Sequence, residues 1–214
     1  LAMATTPTVE MVVPKANAQG GIILTASHNP KQWNALKLLD ANGEFLSAEA
    51  GAQILTLAEQ EDFNFASVDD LGSVTVDDTS LDMHIQAVLN HPLVDIESIR
   101  SSGFKVVVDG VNSIGGIAIP ALLKELNIEV IELFCEPNGQ FPHNPEPLKE
   151  HLGDLSALVI ESAADLGLAV DPDVDRLAFM DENGAMFGEE YTLVACADYV
   201  LSMTPGNTVS NMSS

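Results

Sequence analysis

Residues 105–133 read KVVVDGVNSIGGIAIPALLKELNIEVIEL, and this stretch decides the fold. Lys105-Val106-Val107-Val108-Asp109 is a short β-branched run with the composition of a buried strand. Residues 110–116 form a glycine-rich turn, residues 117–126 carry helical spacing, and residues 128–133 return to strand composition. A strand, a helix and a strand in a unit of this size put two parallel strands in one sheet, joined by a right-handed crossover. Further along, residues 137–147 are a proline-rich loop and Leu155, Leu158, Val159 and Ser162 have helical spacing. Residues 166–170 and 177–180 read as the next two strands. The fold class is therefore α/β, with a three-layer α/β/α domain expected over 96–187 around a mixed, largely parallel sheet.

Toward the N-terminus, residues 20–25 are a strand bounded by glycine before and by Ser27-His28-Asn29-Pro30 after. Residues 36–40 form a strand that enters a turn at Ala41-Asn42-Gly43-Glu44, because Asn-Gly is the strongest short hairpin signal. Ser47 caps a helix reaching about residue 59, with Glu49 in its first turn. After a polar stretch over 61–78, a second helix carries Leu81, Ile85, Val88 and Leu89 on one face, with Thr79 and Asp82 as its capping box. The opening residues have strand character and residues 208–212 read as the start of another strand. The chain is accordingly expected to be a piece of a longer protein.

Charge excludes one large class of partner. The chain has 8 Lys+Arg against 32 Asp+Glu, a net charge of −24, so nucleic acid is ruled out as a main ligand. With 46% hydrophobic residues and a mean hydropathy of +0.18, it has the composition of a globular rather than a disordered chain. Cys135 and Cys196 lie far apart without metal spacing, which predicts two buried thiols in a reducing compartment. No stretch reaches the ~18 apolar residues of a membrane span, and no basic leader opens the chain, so a cytoplasmic protein with no membrane partner is expected. Without a secretory leader, the sequon at Asn211-Met212-Ser213 carries no weight.

The sharpest chemical signal is Asp171-Pro172-Asp173-Val174-Asp175-Arg176 at the end of an apolar strand. Three carboxylates at alternating positions repel one another unless a divalent cation offsets them, and hard oxygen donors with no nearby thiolate favour Mg2+. A solvated acidic turn is the plain alternative. An EF-hand is excluded by Arg176 at the position that needs glycine and by flanks that read as strands. The second signal is Thr25-Ala26-Ser27-His28-Asn29-Pro30, which taken alone is either an ordinary polar turn or one that exposes a hydroxyl beside an imidazole, with Ser27 as nucleophile and His28 as base or phosphate ligand. Thr25 and Asn29 stand where a hydrolase elbow has glycines, so an α/β-hydrolase is unlike this chain.

Together, Ser27-His28-Asn29-Pro30-Lys31-Gln32-Trp33-Asn34-Ala35-Leu36-Lys37 and residues 171–176 resemble the α-D-phosphohexomutase superfamily of phosphoglucomutase, phosphomannomutase and phosphoglucosamine mutase. The same pattern includes Thr6-Pro7-Thr8, Asp109 with Gly115-Gly116, Phe141-Pro142 through Pro147, and Ala164-Asp165-Leu166-Gly167. The resemblance implies a phosphoglucomutase-like fold, with the serine part of domain one at 1–95, domain two at 96–187 and the start of domain three at 188–214, whose first helix opens at Gly188-Glu189-Glu190. It implies that Ser27 carries the phosphoryl group and, with Asp171, Asp173 and Asp175, binds Mg2+. It implies that His28, Lys37 and Arg176 line the transfer site, and with so few basic residues Lys31 in the same motif is notable. The implied partners are a hexose phosphate and a hexose bisphosphate, interconverted as 1- and 6-phosphates by an isomerase. Trp33, Asn34 and Lys37 look closest to the phosphoglucosamine or phosphomannomutase branch.

There are departures from the pattern. Pro172 stands where the metal loop usually has glycine, Val174 where it has glycine or alanine, and Ala35 where many members have glycine, so the loop is stiff and lacks residues suited to positive φ. Sugar recognition and the C-terminal phosphate-binding domain are expected beyond Ser214, so these residues alone are expected to turn over no sugar phosphate. Two other readings compete: a noncatalytic α/β module that binds metal or sugar phosphate, and an aspartyl-phosphate phosphatase with Asp171 as nucleophile. The latter leaves the serine motif unexplained.

Overall fold

The computed structural model describes residues 1–30, 32–61 and 63–209, apart from the side chains of residues 189 and 190. The elements are α1 (Thr6–Lys15), β1 (Gly21–Thr25), β2 (Ala35–Leu39), α2 (Ala48–Gln60), α3 (Ser80–Leu89), α4 (Ile96–Arg100), β3 (Lys105–Asp109), α5 (Gly115–Glu125), β4 (Glu129–Leu133), α6 (Gly153–Ser162), β5 (Leu166–Val170), β6 (Leu177–Asp181) and α7 (Glu189–Met203).

Four strands form one sheet in the order β4-β3-β5-β6. β3 pairs parallel with β4 and β5, and β6 returns antiparallel on β5. The sheet is mixed and largely parallel, as the alternation of strands and helices predicts. Side chains alternate across it: Val106, Val108 and Leu168 pack with Leu123 of α5 on one face. Val107 and Ala169 pack with Leu155 and Val159 of α6 on the other, completing three layers. Burial on both faces is why β3 is an unbroken apolar run rather than an alternating one.

β1 and β2 form a separate antiparallel pair, with Ile23 opposite Lys37 and Thr25 opposite Ala35. Val13 of α1 closes one face of this pair over Ile23 and Leu39, while Ile22, Leu24 and Leu36 are exposed. The Asn42-Gly43 turn forms as expected, but the chain returns to β2 only through a single bridge between Leu39 and Phe45.

Four expectations change. The opening segment is a helix rather than a strand, because the Thr5 hydroxyl accepts the Thr8 amide at 3.1 Å and Pro7 sits in the first turn, signals that prevail over the β propensity of Val9, Val12 and Val13. α3 starts at Ser80 without a capping box: Thr79 instead donates its amide and hydroxyl to Asp77 Oδ1 at 2.8 and 2.7 Å, an upstream turn that competes with the cap. Cys135 is half-buried and Cys196 exposed, not both buried, because α7 presents much of its surface to solvent. Residues 208–209 carry no strand, and the rest of that expected strand, with the sequon at 211–213, lies outside the described residues.

Where β3 ends, buried Asp109 accepts the Val111 amide at 3.0 Å and meets His143 Nε2 at 3.0 Å, while His143 Nδ1 donates to the Asn144 carbonyl at 2.7 Å. Burial opposes the imidazolium, but the bonds to Asp109 and Asn144 and the charges of Asp109 and Asp154 prevail and raise the His143 pKa above its ordinary 6.5. A raised folded pKa gives stability that is complete below the unfolded value and lost as pH rises through the folded one. Urea unfolding is therefore expected to show stability falling as pH rises above about 6.5, with the fall flattened in His143→Gln.

Candidate active site

Residues 171–176 are the tight connection between paired strands β5 and β6. These flanking strands exclude the EF-hand, which needs helices there. Asp171 is fully buried, and its Oδ1 accepts the amides of Asp175 and Arg176, both at 3.1 Å, which closes the loop on its own first carboxylate. Neighbouring elements hold the loop from outside. The Ser113 hydroxyl donates to the Pro172 carbonyl at 2.7 Å. Thr6, in the first turn of α1, donates its amide to the Asp173 carbonyl and its hydroxyl to Asp173 Oδ2, both at 2.8 Å. Val174 takes φ +63°, a conformation that costs a side-chain-bearing residue about 1–2 kcal/mol. The turn that suits glycine is thus kept with valine in it, and the surrounding hydrogen bonds impose it.

The serine loop comes from the other sheet. Beyond β1, the Thr25 hydroxyl accepts the Ser27 amide at 2.8 Å and the Asn29 amide returns to the Ala26 carbonyl at 3.0 Å. Ser27 itself sits at φ +50°. Its Oγ lies 3.1 Å from Asp171 Oδ2 and 3.3 Å from His28 Nδ1. The antiparallel return of β2 carries Lys37 to the same point, with Nζ 2.7 Å from Asp173 Oδ2 and 2.5 Å from Asp175 Oδ2. Ser27, His28, Lys37 and the three aspartates are therefore brought together. Arg176 joins indirectly: its Nη1 donates to Glu146 Oε1 at 2.8 Å, and that oxygen is 3.9 Å from His28 Nε2. Lys31 lies outside the described residues.

Sequence reasoning did not single out Thr6, Ser113 or Glu146. Thr6 and Glu146 stood inside stretches already noted, Thr6-Pro7-Thr8 and 141–147, so a signal was present; Ser113 had none.

Carboxylate oxygens of Asp171, Asp173 and Asp175 all lie within 4.8 Å of one another. Burial, and then the Asp173 charge, push the Asp171 carboxyl up to about 7. Burial pushes Asp173 the same way, but its bonds from Lys37 and Thr6 hold it below its ordinary value. Burial likewise disfavours the Lys37 ammonium, and the bonds to Asp173 and Asp175 more than reverse this, raising its pKa. Asp173 Oδ1 is buried with no hydrogen-bond partner. An orphaned buried acceptor beside two further carboxylates, with no sulfur donor in the cluster, fits a hard divalent cation.

Residues 1–65 match the family model for phosphoglucomutase/phosphomannomutase alpha/beta/alpha domain I, and residues 82–184 match that for alpha/beta/alpha domain II. The chain belongs to the phosphoglucomutase/phosphomannomutase family. A Thermococcus kodakarensis member named phosphoglucomutase/phosphomannomutase is 38% identical over 205 residues, covering 95% of this chain and 44% of that protein. A Pseudomonas putida phosphomannomutase/phosphoglucomutase is 36% identical over 203 residues, 94% of this chain and 41% of that one. The crystal structure of a Burkholderia thailandensis family member superposes with a TM-score of 0.80 at 27% identity, over 95% of this chain and 44% of that one. The chain spans less than half the length of each. Among its described residues no helix is long and apolar enough to cross a membrane.

Proposed function

We propose that this chain carries the phosphoryl-transfer part of a phosphohexomutase, which interconverts hexose 1- and 6-phosphates through a phosphorylated Ser27 and a hexose bisphosphate. One observation carries the reading: Ser27 Oγ meets Asp171 Oδ2 at 3.1 Å across 144 residues of sequence, so a hydroxyl from one sheet is set on a carboxylate cluster from the other. Asp171, Asp173, Asp175 and Ser27 would hold Mg2+, and bound there it would neutralise charge on the phosphoryl oxygens. Lys37 and Arg176 add fixed positive charge beside a loop that otherwise carries three carboxylates. In transfer, the bond from Ser27 Oγ to phosphorus breaks as the bond from phosphorus to a hexose hydroxyl oxygen forms; that hydroxyl loses its proton and Ser27 Oγ regains one. His28 Nδ1, 3.3 Å from Oγ, is placed to hold the serine proton.

A cavity of about 530 Å³ borders Ser27, lined in part by Trp33, Asn34, Ser113 and Phe141. Ligand sites of roughly 300–1,000 Å³ are usual, so a hexose phosphate fits the space. Relatives bear phosphoglucomutase, phosphomannomutase and phosphoglucosamine mutase names, and Trp33 and Asn34 favour the latter two. The divisions at about residues 95 and 187 and a reducing, cytoplasmic setting belong to the same proposal; the free thiols Cys135 and Cys196 support the setting. Against the phosphatase reading, Asp171 is fully buried with both oxygens engaged, a poor posture for a nucleophile.

The test is phosphopeptide mass spectrometry on the full-length protein incubated with Mg2+ and a glucose or glucosamine bisphosphate. Phosphate on Ser27 supports the mutase; an unmodified Ser27 in folded, metal-bound protein overturns it in favour of a binding module. Metal binding has its own readout. Mg2+ at a hundredfold excess over its dissociation constant is expected to stabilise the protein by about 2.7 kcal/mol in urea unfolding, and Asp173→Asn is expected to remove most of that gain.

A further inference from the structure

We propose that Glu146 is a positioning residue for the serine, setting the orientation and tautomer of His28 while tying Arg176 to the same carboxylate oxygen. The inference rests on the phosphoryl transfer proposed above and goes beyond it by giving a task to the proline-rich loop. Glu146 Oε1 lies 3.9 Å from His28 Nε2 and accepts Arg176 Nη1 at 2.8 Å. The other imidazole nitrogen, Nδ1, is 3.3 Å from Ser27 Oγ. Hydroxyl, imidazole and carboxylate thus follow one another in the order nucleophile, base and orienting group.

A neutral imidazole carries one N–H. A carboxylate facing Nε2 favours the proton there and leaves the Nδ1 lone pair toward the Ser27 hydroxyl. The opposite tautomer would set an N–H against Oγ and remove the acceptor. This choice matters because the serine proton has two acceptors in reach, Asp171 Oδ2 and His28 Nδ1, and a cation held by Asp171 leaves only the second. The 3.9 Å separation is about 1 Å beyond a hydrogen bond, so the carboxylate acts on Nε2 through its field rather than by a direct bond.

Glu146 is held in place for the task. Its amide donates to Asn144 Oδ1 at 3.1 Å, its carbonyl meets His151 Nδ1 at 2.9 Å, and the Arg176 that grips its side chain is itself bound through its amide to Asp171 Oδ1. The carboxylate therefore links the serine loop of one sheet to the aspartate loop of the other.

The experiment uses the full-length protein, whose wild type is first shown to phosphorylate Ser27 from a hexose bisphosphate. Glu146→Gln keeps the side-chain size and removes the charge. It is expected to lower kcat about 10- to 100-fold with KM within about twofold, and to slow single-turnover phosphorylation of Ser27 by the same factor, with Mg2+ stabilisation retained. Glu146→Asp, which keeps the charge, is expected to recover part of the rate. On a His28→Gln background, Glu146→Gln is expected to add no further loss. Full multiplication of the two losses overturns the inference, as does a rise in KM with kcat intact, which would make Glu146 a holder of Arg176 for substrate binding. A wild type that leaves Ser27 unmodified overturns the transfer reading itself, and that result precedes any variant.

Discussion

Replacing Ser27 with alanine is expected to lower hexose-phosphate turnover of the full-length protein by about ten-thousand-fold or more, the scale on which removal of a covalent nucleophile acts. The reason is local. Among the described residues, the Ser27 hydroxyl is the one that hydrogen-bonds to the aspartate cluster from the serine loop, and the nearby Thr25 hydroxyl is occupied as acceptor of the Ser27 amide. The fold should barely register the change, since one partly buried hydrogen bond contributes about 1 kcal/mol. Coupled assays and phosphopeptide mass spectrometry should therefore show loss of turnover and of phosphate at residue 27, with Mg2+ stabilisation intact. Turnover retained without Ser27 would move the nucleophile to Asp171 and sink the mutase reading.

Gly116→Ala is expected to destabilise the protein by about 3 kcal/mol or more, the upper end for an overpacked site that cannot relax. A Cβ at this position would stand 2.5 Å from Cys135 Cα and O and 2.7 Å from its carbonyl carbon. These are backbone atoms on a segment pinned by the Asn112 amide to the Phe134 carbonyl at 2.6 Å and the Gly110 amide to the Leu133 carbonyl at 3.1 Å, so they have little room to give. Gly110 faces the same crowding, its notional Cβ being 2.4 Å from the Gly116 amide nitrogen. Gly153→Ala, with nothing within 4 Å of its notional Cβ, is the control and should change stability by less than about 1 kcal/mol. Equal urea midpoints for the two variants would refute this account of the α5 start. Because Ser113 leads into that helix and holds Pro172, the Gly116 variant should also weaken Mg2+ stabilisation.

Much of the fold was legible because periodicity reports burial. The run Val106 to Val108 is apolar at every position because helices cover both faces of β3, and the helical spacing of Leu155 and Val159 marks the side of α6 that meets Val107. Capping was legible where the cap side chain bonds forward, as Ser47 does to the Ala50 amide at 3.2 Å. It misled where a side chain had a nearer partner: Thr79 was drawn to Asp77, and the valines of α1 concealed a helix that Thr5 had already started. The expectation of two buried thiols failed at Cys196 because burial depends on which face of α7 is covered.

The site divides in the same way. The sequence by itself determined the chemical inventory: a strand-end serine beside an imidazole, and three alternating aspartates followed by an arginine; the spacing of the aspartates points to a cation, and the family resemblance implies the phosphoryl chemistry of the serine. It also showed that Val174 stands where the resembling family has glycine or alanine; that Val174 takes φ +63° is a finding of the structure. Tertiary structure alone decided that Ser27 meets Asp171, that Lys37 lies between Asp173 and Asp175, and that Arg176 is bound to Glu146 rather than set beside the serine. It also decided that Thr6 and Ser113 hold the aspartate loop in shape. The physical reason is that strand and helix periods are properties of neighbours along the chain, whereas these contacts join segments far apart in sequence, those of Ser27 and Lys37 across two sheets. Their distances depend on how α1, the serine loop and the β5–β6 connection pack together, and no local pattern of residues encodes that packing.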